Sequence, residues 1–225
     1  MKAMILCAGE GNRMRPLTNT TPKPLLKVGN SSLVEHHLKK LKKNGFKDVV
    51  INIAYLGYKI PKALGDGEKW DLNISYSDEQ KEGGLETAGG IVKALPLLGN
   101  DTFLVVNGDI FSDYEFDKNM ELKEGILAHF ILIENPSHNP NGDFGIDKGN
   151  LTNNKKYTFT GIGYYSSEFF KDIPCEKLAL APFIREAIKN KKVTGELYKG
   201  KWLDIGTPKR LEDLNIELLN NKNIK

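Results

Sequence analysis

Lys2-Ala3-Met4-Ile5-Leu6-Cys7-Ala8-Gly9-Glu10-Gly11-Asn12-Arg13 is the stretch that decides the fold class. Lys2 to Cys7 is a short apolar run without polar alternation, the pattern of a strand covered on both faces, and it breaks directly into a glycine-rich loop. An α/β domain opens this way. Next along the chain, Ser32-Leu33-Val34-Glu35 reads as a capping box, Leu38 and Leu41 continue at helical spacing, and Gly45 supplies a stop. A helix is therefore expected from about 32 to 44. Strand-like runs at Val49–Tyr55, Ile74–Ser77 and Phe103–Val106 alternate with helical patterns at Tyr58–Leu64 and Thr87–Leu98. This alternation predicts a mostly parallel sheet with helices on both faces and ligands beyond the carboxyl ends of its strands.

The second half is less regular. Ile126–Ile133 and Tyr157–Tyr165 read as strands and Leu178–Asn190 and Pro208–Leu219 as helices, so the sheet is expected to become mixed there. Asn135–Asn154, rich in Asn, Gly, Pro, Asp and Lys, is the expected mobile connection, with Phe144-Gly145-Ile146 a candidate short strand inside it. No linker divides the chain, so one domain is expected over 1–225, with a flexible tail at 220–225.

With 225 residues, 40% of them hydrophobic and 27% charged, the chain has the composition of a soluble globule. A net charge of +3 is far below the basic excess of a nucleic-acid binder, yet it leaves room for a local anion site. The N-terminal run turns to Gly and charge too early for a signal peptide, and nothing approaches the ~20 apolar residues of a membrane span, so a cytoplasmic protein is expected. Cys7 and Cys175 have neither metal-ligand spacing nor the density of a disulfide scaffold and read as reduced thiols, Cys7 as a small buried hydrophobe. His36 and His37 are adjacent, not paired at i, i+4, and read as packing residues; the lysines at 39, 40, 42 and 43 read as a solvated helix face.

Glycines after a strand let backbone N–H groups approach phosphate oxygens. Met14 stands where a dinucleotide fingerprint needs a third glycine, and no Walker loop follows, so the loop alone is only an anion-site candidate. Arg13 and Arg15 follow at once, and Arg13 is the better candidate for a triphosphate clamp. In Thr21-Pro22-Lys23-Pro24-Leu25 the prolines are expected to hold the chain extended and to present the Lys23 ammonium on a stiff segment. Asp109 and Asp204 both end apolar stretches, and two sequence-distant carboxylates of this kind suit Mg²⁺, which completes its shell with water and phosphate.

Leu6-Cys7-Ala8-Gly9-Glu10-Gly11-Asn12-Arg13-Met14-Arg15-Pro16-Leu17-Thr18, followed by Pro22-Lys23-Pro24-Leu25, closely resembles the sugar-phosphate nucleotidyltransferases. The likeness continues, in family order, through Leu85-Glu86-Thr87-Ala88-Gly89-Gly90, Val106-Asn107-Gly108-Asp109 and Trp202-Leu203-Asp204-Ile205-Gly206-Thr207-Pro208. The resemblance implies a three-layer, Rossmann-like nucleotidyltransferase fold with a mostly parallel mixed sheet. It implies nucleotide contacts from Ala8, Gly9, Gly11, Asn12, Arg13, Lys23 and Gly89, with Arg13 and Lys23 serving catalysis. It also implies Mg²⁺ on Asp109 and Asp204, and sugar contacts from Asn107 and Asp143. Gly89 would let the base lie against backbone, while Glu86 departs from the glycine of many hexose-specific relatives. The short length, Gly142-Asp143-Phe144 and Val106–Asp109 look most like the uridylyltransferase branch of bacterial cell-wall recycling, which implies UTP and N-acetylmuramate 1-phosphate as substrates. Another sugar phosphate or phosphocholine, or a noncatalytic nucleotide-binding module, would retain many of the same residues. A monomer is the simplest assembly.

Overall fold

In the computed structural model, which describes residues 1–222, the first strand and the glycine loop sit at the centre of an eight-stranded sheet. In chain order the elements are β1 (Ala3–Leu6), β2 (Lys27–Val28), β3 (Ser31–Ser32), α1 (Leu33–Lys43), β4 (Asp48–Ile53), α2 (Lys59–Leu64), β5 (Asn73–Asp78), α3 (Glu86–Leu98) and β6 (Phe103–Asn107). They continue as β7 (Ile110–Ser112), β8 (Ala128–Ile133), β9 (Phe144–Asp147), β10 (Asn150–Tyr165), α4 (Ala181–Lys189), β11 (Val193–Leu197), β12 (Trp202–Asp204) and α5 (Pro208–Lys222). The sheet runs β11-β8-β10-β6-β1-β4-β5, with β9 on β10. Its first-half strands are parallel, whereas β10 lies antiparallel to β6, β8 and β9, so the sheet is mixed where the sequence pattern lost its regularity.

The uninterrupted apolar character of β1 follows from burial on both faces. Ala3 and Ile5 pack with Val34, Leu38 and Leu41 of α1 and with Ile60 and Leu64 of α2. Met4 packs on the other side with Ala88, Ile91 and Ala94 of α3 and with α4 through Ile184 and Ile188. Helices on both faces complete the three layers. A third, smaller core joins Met14, Leu26, Val28 and Leu33 to Ile205, Leu211 and Leu214, so the C-terminal motif and α5 are anchored against the segment that follows the glycine loop.

The capping box forms as expected, with Glu35 accepting from the Ser32 N–H at 2.7 Å, and Gly45 ends the helix with φ of +80°. The connection expected to be mobile over Asn135–Asn154 is largely a hairpin, because β9 and the first part of β10 pair across Asp147 and Asn150. The candidate strand Phe144–Ile146 inside that segment is β9, and the hairpin exposes one face while Phe144 and Leu151 are buried. Lys23 also departs from its expected setting, since Lys23–Leu25 form a single 3₁₀ turn, with Pro24 inside the first turn where a missing N–H costs nothing. The lysine face of α1 is not simply solvated: Lys43 pairs with Glu115 at 2.5 Å, Lys42 with Asp71, and Lys40 donates to the Ser112 carbonyl. The tail expected to be flexible from 220 is helical through Lys222, and its remainder lies outside the described residues. No helix among the described residues is long and apolar enough to cross a membrane.

Candidate active site

Leu6, Asn52 and Asn107 stand in register at the carboxyl ends of three adjacent parallel strands, β1, β4 and β6. Beyond them opens a cleft of about 370 Å³ whose walls include Ala8, Gly9, Lys23, Thr87, Asn107 and Asp109. This is where a parallel α/β sheet exposes its unpaired backbone groups to ligands. The two loop glycines have different reasons. A Cβ on Gly9 would meet nothing within 4 Å, so open space faces its backbone. Gly11 has φ of +65°, and a Cβ there would come within 3.0 Å of Thr18 Cγ2 and 3.2 Å of Lys23 Cβ, so this glycine lets the loop pack on the lysine segment.

A buried hydrogen-bond chain fixes the two sides of the cleft to each other. The Cys7 N–H donates to Asn52 Oδ1 at 2.8 Å, Asn52 Nδ2 donates to Glu79 Oε1 at 2.8 Å, and the Leu85 N–H donates to Glu79 Oε2 at 2.8 Å. Burial raises the Glu79 carboxyl above its ordinary range against these bonds. Cys7 belongs to the buried hydrophobes, as expected: burial and the nearby Asp109 carboxylate push its thiol far up, away from thiolate reactivity. His36 and His37 pack as expected, His36 against the Val28 carbonyl at 2.8 Å. Burial, Lys40 and His36 drive the His37 ring down to about 3, so it stays neutral.

Lys23 Nζ donates to Asp109 Oδ2 at 2.6 Å, with the lysine side chain only 10% exposed. One of its three donors is used by Asp109, and a charge so little exposed is weakly screened. Asp109 and Asp204 lie on neighbouring backbone: Asp204 pairs with Ile110 in the β7–β12 ribbon, and the Ile205 N–H donates to the Asp109 carbonyl at 2.9 Å. The Asp204 carboxylate is held by Arg210 Nη1 at 2.8 Å, with His138 Nε2 at 3.6 Å and stacked on Trp202. Burial lowers the His138 pKa, helped by Arg210 and Arg13 and opposed by Asp204, so the ring is neutral near pH 7. Two carboxylates, one from the turn after β6 and one from the end of β12, each already matched to a protein cation, are hard oxygen donors of the kind Mg²⁺ takes when phosphate and water fill its shell. Among the described residues there is no cluster of three or more His, Cys, Asp or Glu side chains placed to hold a metal ion.

A second cavity of about 480 Å³ shares Glu86, Thr87 and Asn107 with the first and brings in Asp143, Phe144, Phe159 and residues of α4. Asp143 Oδ2 accepts from the Phe159 N–H at 2.9 Å and from Asn139 Nδ2 at 3.2 Å, so the carboxylate is fixed by the β10 backbone. Gly89 does not reach either cavity. It is buried in the first turn of α3, where a Cβ would sit 1.9 Å from the Glu176 carbonyl oxygen, so the glycine makes room for the chain itself. Gly83, Gly84 and Thr87 occupy the wall in its place. Glu86 takes φ of +57°, a conformation glycine adopts without strain, which is a physical reason for glycine in the hexose-specific relatives. Gly11, Asn12, Arg13 and Asp204 are not among the residues that wall the cleft. Arg13 is exposed and makes no side-chain hydrogen bond among the described residues, whereas Asn12 donates to Glu10 at 2.9 Å.

Sequence reading missed Asn52, Glu79, Lys177, Arg185, His138 and Arg210. Asn52 did carry a signal, an amide inside the apolar run Val49–Ile53, and Arg210 stands six residues after Asp204 at the start of a helix. Lys177 and Arg185 stand as single cations in a largely apolar stretch with no motif around them and acquire meaning only from the cavities they face.

An α/β sheet with an open, cation-bearing cleft at its carboxyl edge is a ligand-binding architecture. The model of the nucleotidyl transferase family matches residues 2–221, and the chain belongs to that family. It is 49% identical over 223 residues to an N-acetylmuramate alpha-1-phosphate uridylyltransferase of Neisseria meningitidis serogroup B, covering 95% of this chain and 96% of that one. It is 32% identical to a mannose-1-phosphate guanyltransferase of Hypocrea jecorina over 93% of this chain, which spans 62% of that relative. A Bacillus anthracis structure assigned as a glucose-1-phosphate thymidylyltransferase shares the fold, with a TM-score of 0.84 at 24% identity over 96% of this chain and 94% of that one.

Proposed function

We propose that the protein transfers the uridylyl group of UTP to N-acetylmuramate 1-phosphate, giving UDP-N-acetylmuramate and pyrophosphate. The identity of 49% across almost the whole of both chains supports the choice of substrates. The chemistry rests on one observation: two cavities meet at Glu86, Thr87 and Asn107, and the nearly buried Lys23 faces the first of them. A triphosphate in the first cavity and a sugar in the second would bring their phosphates together beside that lysine.

A sugar 1-phosphate oxygen attacks the α-phosphorus of UTP, the bond to the β-phosphate bridging oxygen breaks, and pyrophosphate leaves. The attacking oxygen is already anionic near neutral pH, so no protein base or nucleophile is needed and catalysis becomes orientation and charge neutralisation. Lys23 offsets repulsion between the two phosphates. The backbone N–H groups from Ala8 to Asn12 and the free guanidinium of Arg13 hold the departing pyrophosphate. Asp109 and Asp204 would hold Mg²⁺, which when bound supplies further neutralisation of phosphate charge. Arg210 keeps the Asp204 carboxylate oriented. Asn107 and Asp143 present an amide and a carboxylate to the sugar hydroxyls. This reading places the protein in the cytoplasm, where UTP is made, and assigns it to peptidoglycan recycling.

The test is a matrix of UTP, CTP, GTP and dTTP against the 1-phosphates of N-acetylmuramate, N-acetylglucosamine, glucose and mannose, and phosphocholine, scored by kcat/KM for pyrophosphate release. UTP with N-acetylmuramate 1-phosphate is expected to lead. Preference for another pair would reject these substrates while leaving nucleotidyl transfer intact.

A further inference from the structure

We propose that Arg185 selects a sugar phosphate bearing a carboxylate arm, by meeting that carboxylate in the second cavity. The inference rests on the reading above, in which this cavity receives the sugar. N-acetylmuramate differs from N-acetylglucosamine by a lactyl ether, which adds a carboxylate and a methyl group. A pocket for it needs a cation beside an apolar surface.

The second cavity has that composition. Phe159, Leu180 and Ile184 give it apolar walls, and Arg185 is the cation among its residues. The guanidinium lies 5.2 Å from the centroid of the Phe144 ring, so an aromatic face in the same cavity orients the plane of the fork. Among the described residues its side chain makes one hydrogen bond, to Asn153 Oδ1 at 3.4 Å, the long limit for such a bond. Among the described residues no carboxylate lies within ion-pair distance of it. A half-buried guanidinium with most of its five donors unspent is matched to an incoming carboxylate.

Two carboxylates, Glu86 and Asp143, share the cavity and neither is paired with Arg185 among the described residues, while Asp143 Oδ2 is fixed in place by the Phe159 N–H and Asn139. Asp143 and Arg185 therefore present an acceptor and a donor to one sugar: the acceptor suits hydroxyl groups and the donor an anionic arm. Lys177, the competing cation, lines the first cavity and not the second.

The test measures kcat/KM with UTP for N-acetylmuramate 1-phosphate and for N-acetylglucosamine 1-phosphate in the wild type, Arg185→Gln, Arg185→Lys and Lys177→Gln. Loss of a charge-assisted pair is expected to reduce kcat/KM for the acidic sugar about 10- to 100-fold in Arg185→Gln, mainly through KM. The neutral sugar is expected to change less than about threefold, a readout that a merely structural role of the arginine would not spare. Arg185→Lys, which keeps charge without the planar fork, should lose a smaller part of the preference, and it serves as the second variant should Arg185→Gln fold poorly. Equal losses for both sugars in either variant, an undiminished preference in Arg185→Gln, or a preference carried by Lys177 would each overturn the assignment of Arg185. A wild type that uses the neutral sugar and rejects the acidic one overturns both this inference and the proposed substrates, whereas a wild-type preference that survives Arg185→Gln overturns the arginine alone.

Discussion

Replacing Asn52 by Ala tests whether the buried hydrogen-bond chain between Cys7 and Glu79 holds the cleft open in its binding shape. The substitution removes the acceptor of the Cys7 N–H and the donor to Glu79 Oε1 in a single step. Each orphaned buried group costs about 1–3 kcal/mol, giving ~2–6 kcal/mol before any water enters. Asn52 also lines the cleft, so a water could enter from that side and recover part of the loss. The expected destabilisation is therefore about 2–4 kcal/mol, or roughly 5–15 °C in Tm for a chain of this size. Urea unfolding and calorimetry measure the stability, and titration calorimetry measures UTP affinity. Affinity should fall as well, because the Cys7 N–H immediately precedes Ala8 and Gly9. Asn52→Asp sets a carboxylate against Glu79, so it should be the less stable variant near pH 7 and recover as the pH falls and the pair shares a proton. An Asn52→Ala protein within about 0.5 kcal/mol of the wild type, with unchanged UTP affinity, would refute the claim that this chain fixes the loop.

Lys23→Ala should lower the single-turnover rate about 10²- to 10³-fold while changing UTP affinity much less, because its proposed task is neutralising charge where the phosphates meet; a collapse of affinity with an unchanged rate at saturation would make it a ground-state anchor instead. Asp109→Asn and Asp204→Asn should each abolish most turnover and its dependence on Mg²⁺ concentration while keeping the circular dichroism of the fold, and wild-type turnover in either folded variant removes that residue from metal binding. Partial burial works against ionisation of Glu35, but hydrogen bonds from Ser32 and Lys27 win and bring it down to about 2. A depressed carboxyl contributes stability above its unfolded pKa of about 4.5 that is lost as pH falls toward 2. Glu35→Gln should thus cost about 1 kcal/mol near pH 7 and flatten the acid limb of the urea-midpoint profile; parallel profiles for the two proteins would contradict this.

The parallel half of the fold was legible because β1, β4 and β6 are buried on both faces and carry their apolar runs openly, and because Ser32, Glu35 and Gly45 mark α1 through purely local chemistry. The hairpin from Phe144 to Leu151 was obscured by its exposed face, where polar residues sit in strands just as they do in loops. Ala8, Gly9, Lys23, Asn107 and Asp109 could be read as one site because each sits at a strand end or in a glycine or proline motif. The packing reason for Gly89 was not legible, because a glycine that admits a ligand and one that admits a carbonyl look alike until the Glu176 backbone is placed. Asn52, Arg185 and Arg210 depend on partners 27, 41 and 6 residues away, respectively Glu79, Phe144 and Asp204, and only Arg210 has its partner within one local segment.

The central claim, direct transfer of a uridylyl group to a sugar 1-phosphate, is tested most directly by following label from UTP. The protein is incubated with N-acetylmuramate 1-phosphate and UTP labelled at either the α- or the γ-phosphorus, and the products are separated. The α-label is expected to enter UDP-N-acetylmuramate and the γ-label pyrophosphate in equal amounts, both depending on the sugar phosphate. Release of α-label as UMP or UDP, γ-label as orthophosphate, or pyrophosphate formation independent of the sugar phosphate would contradict it.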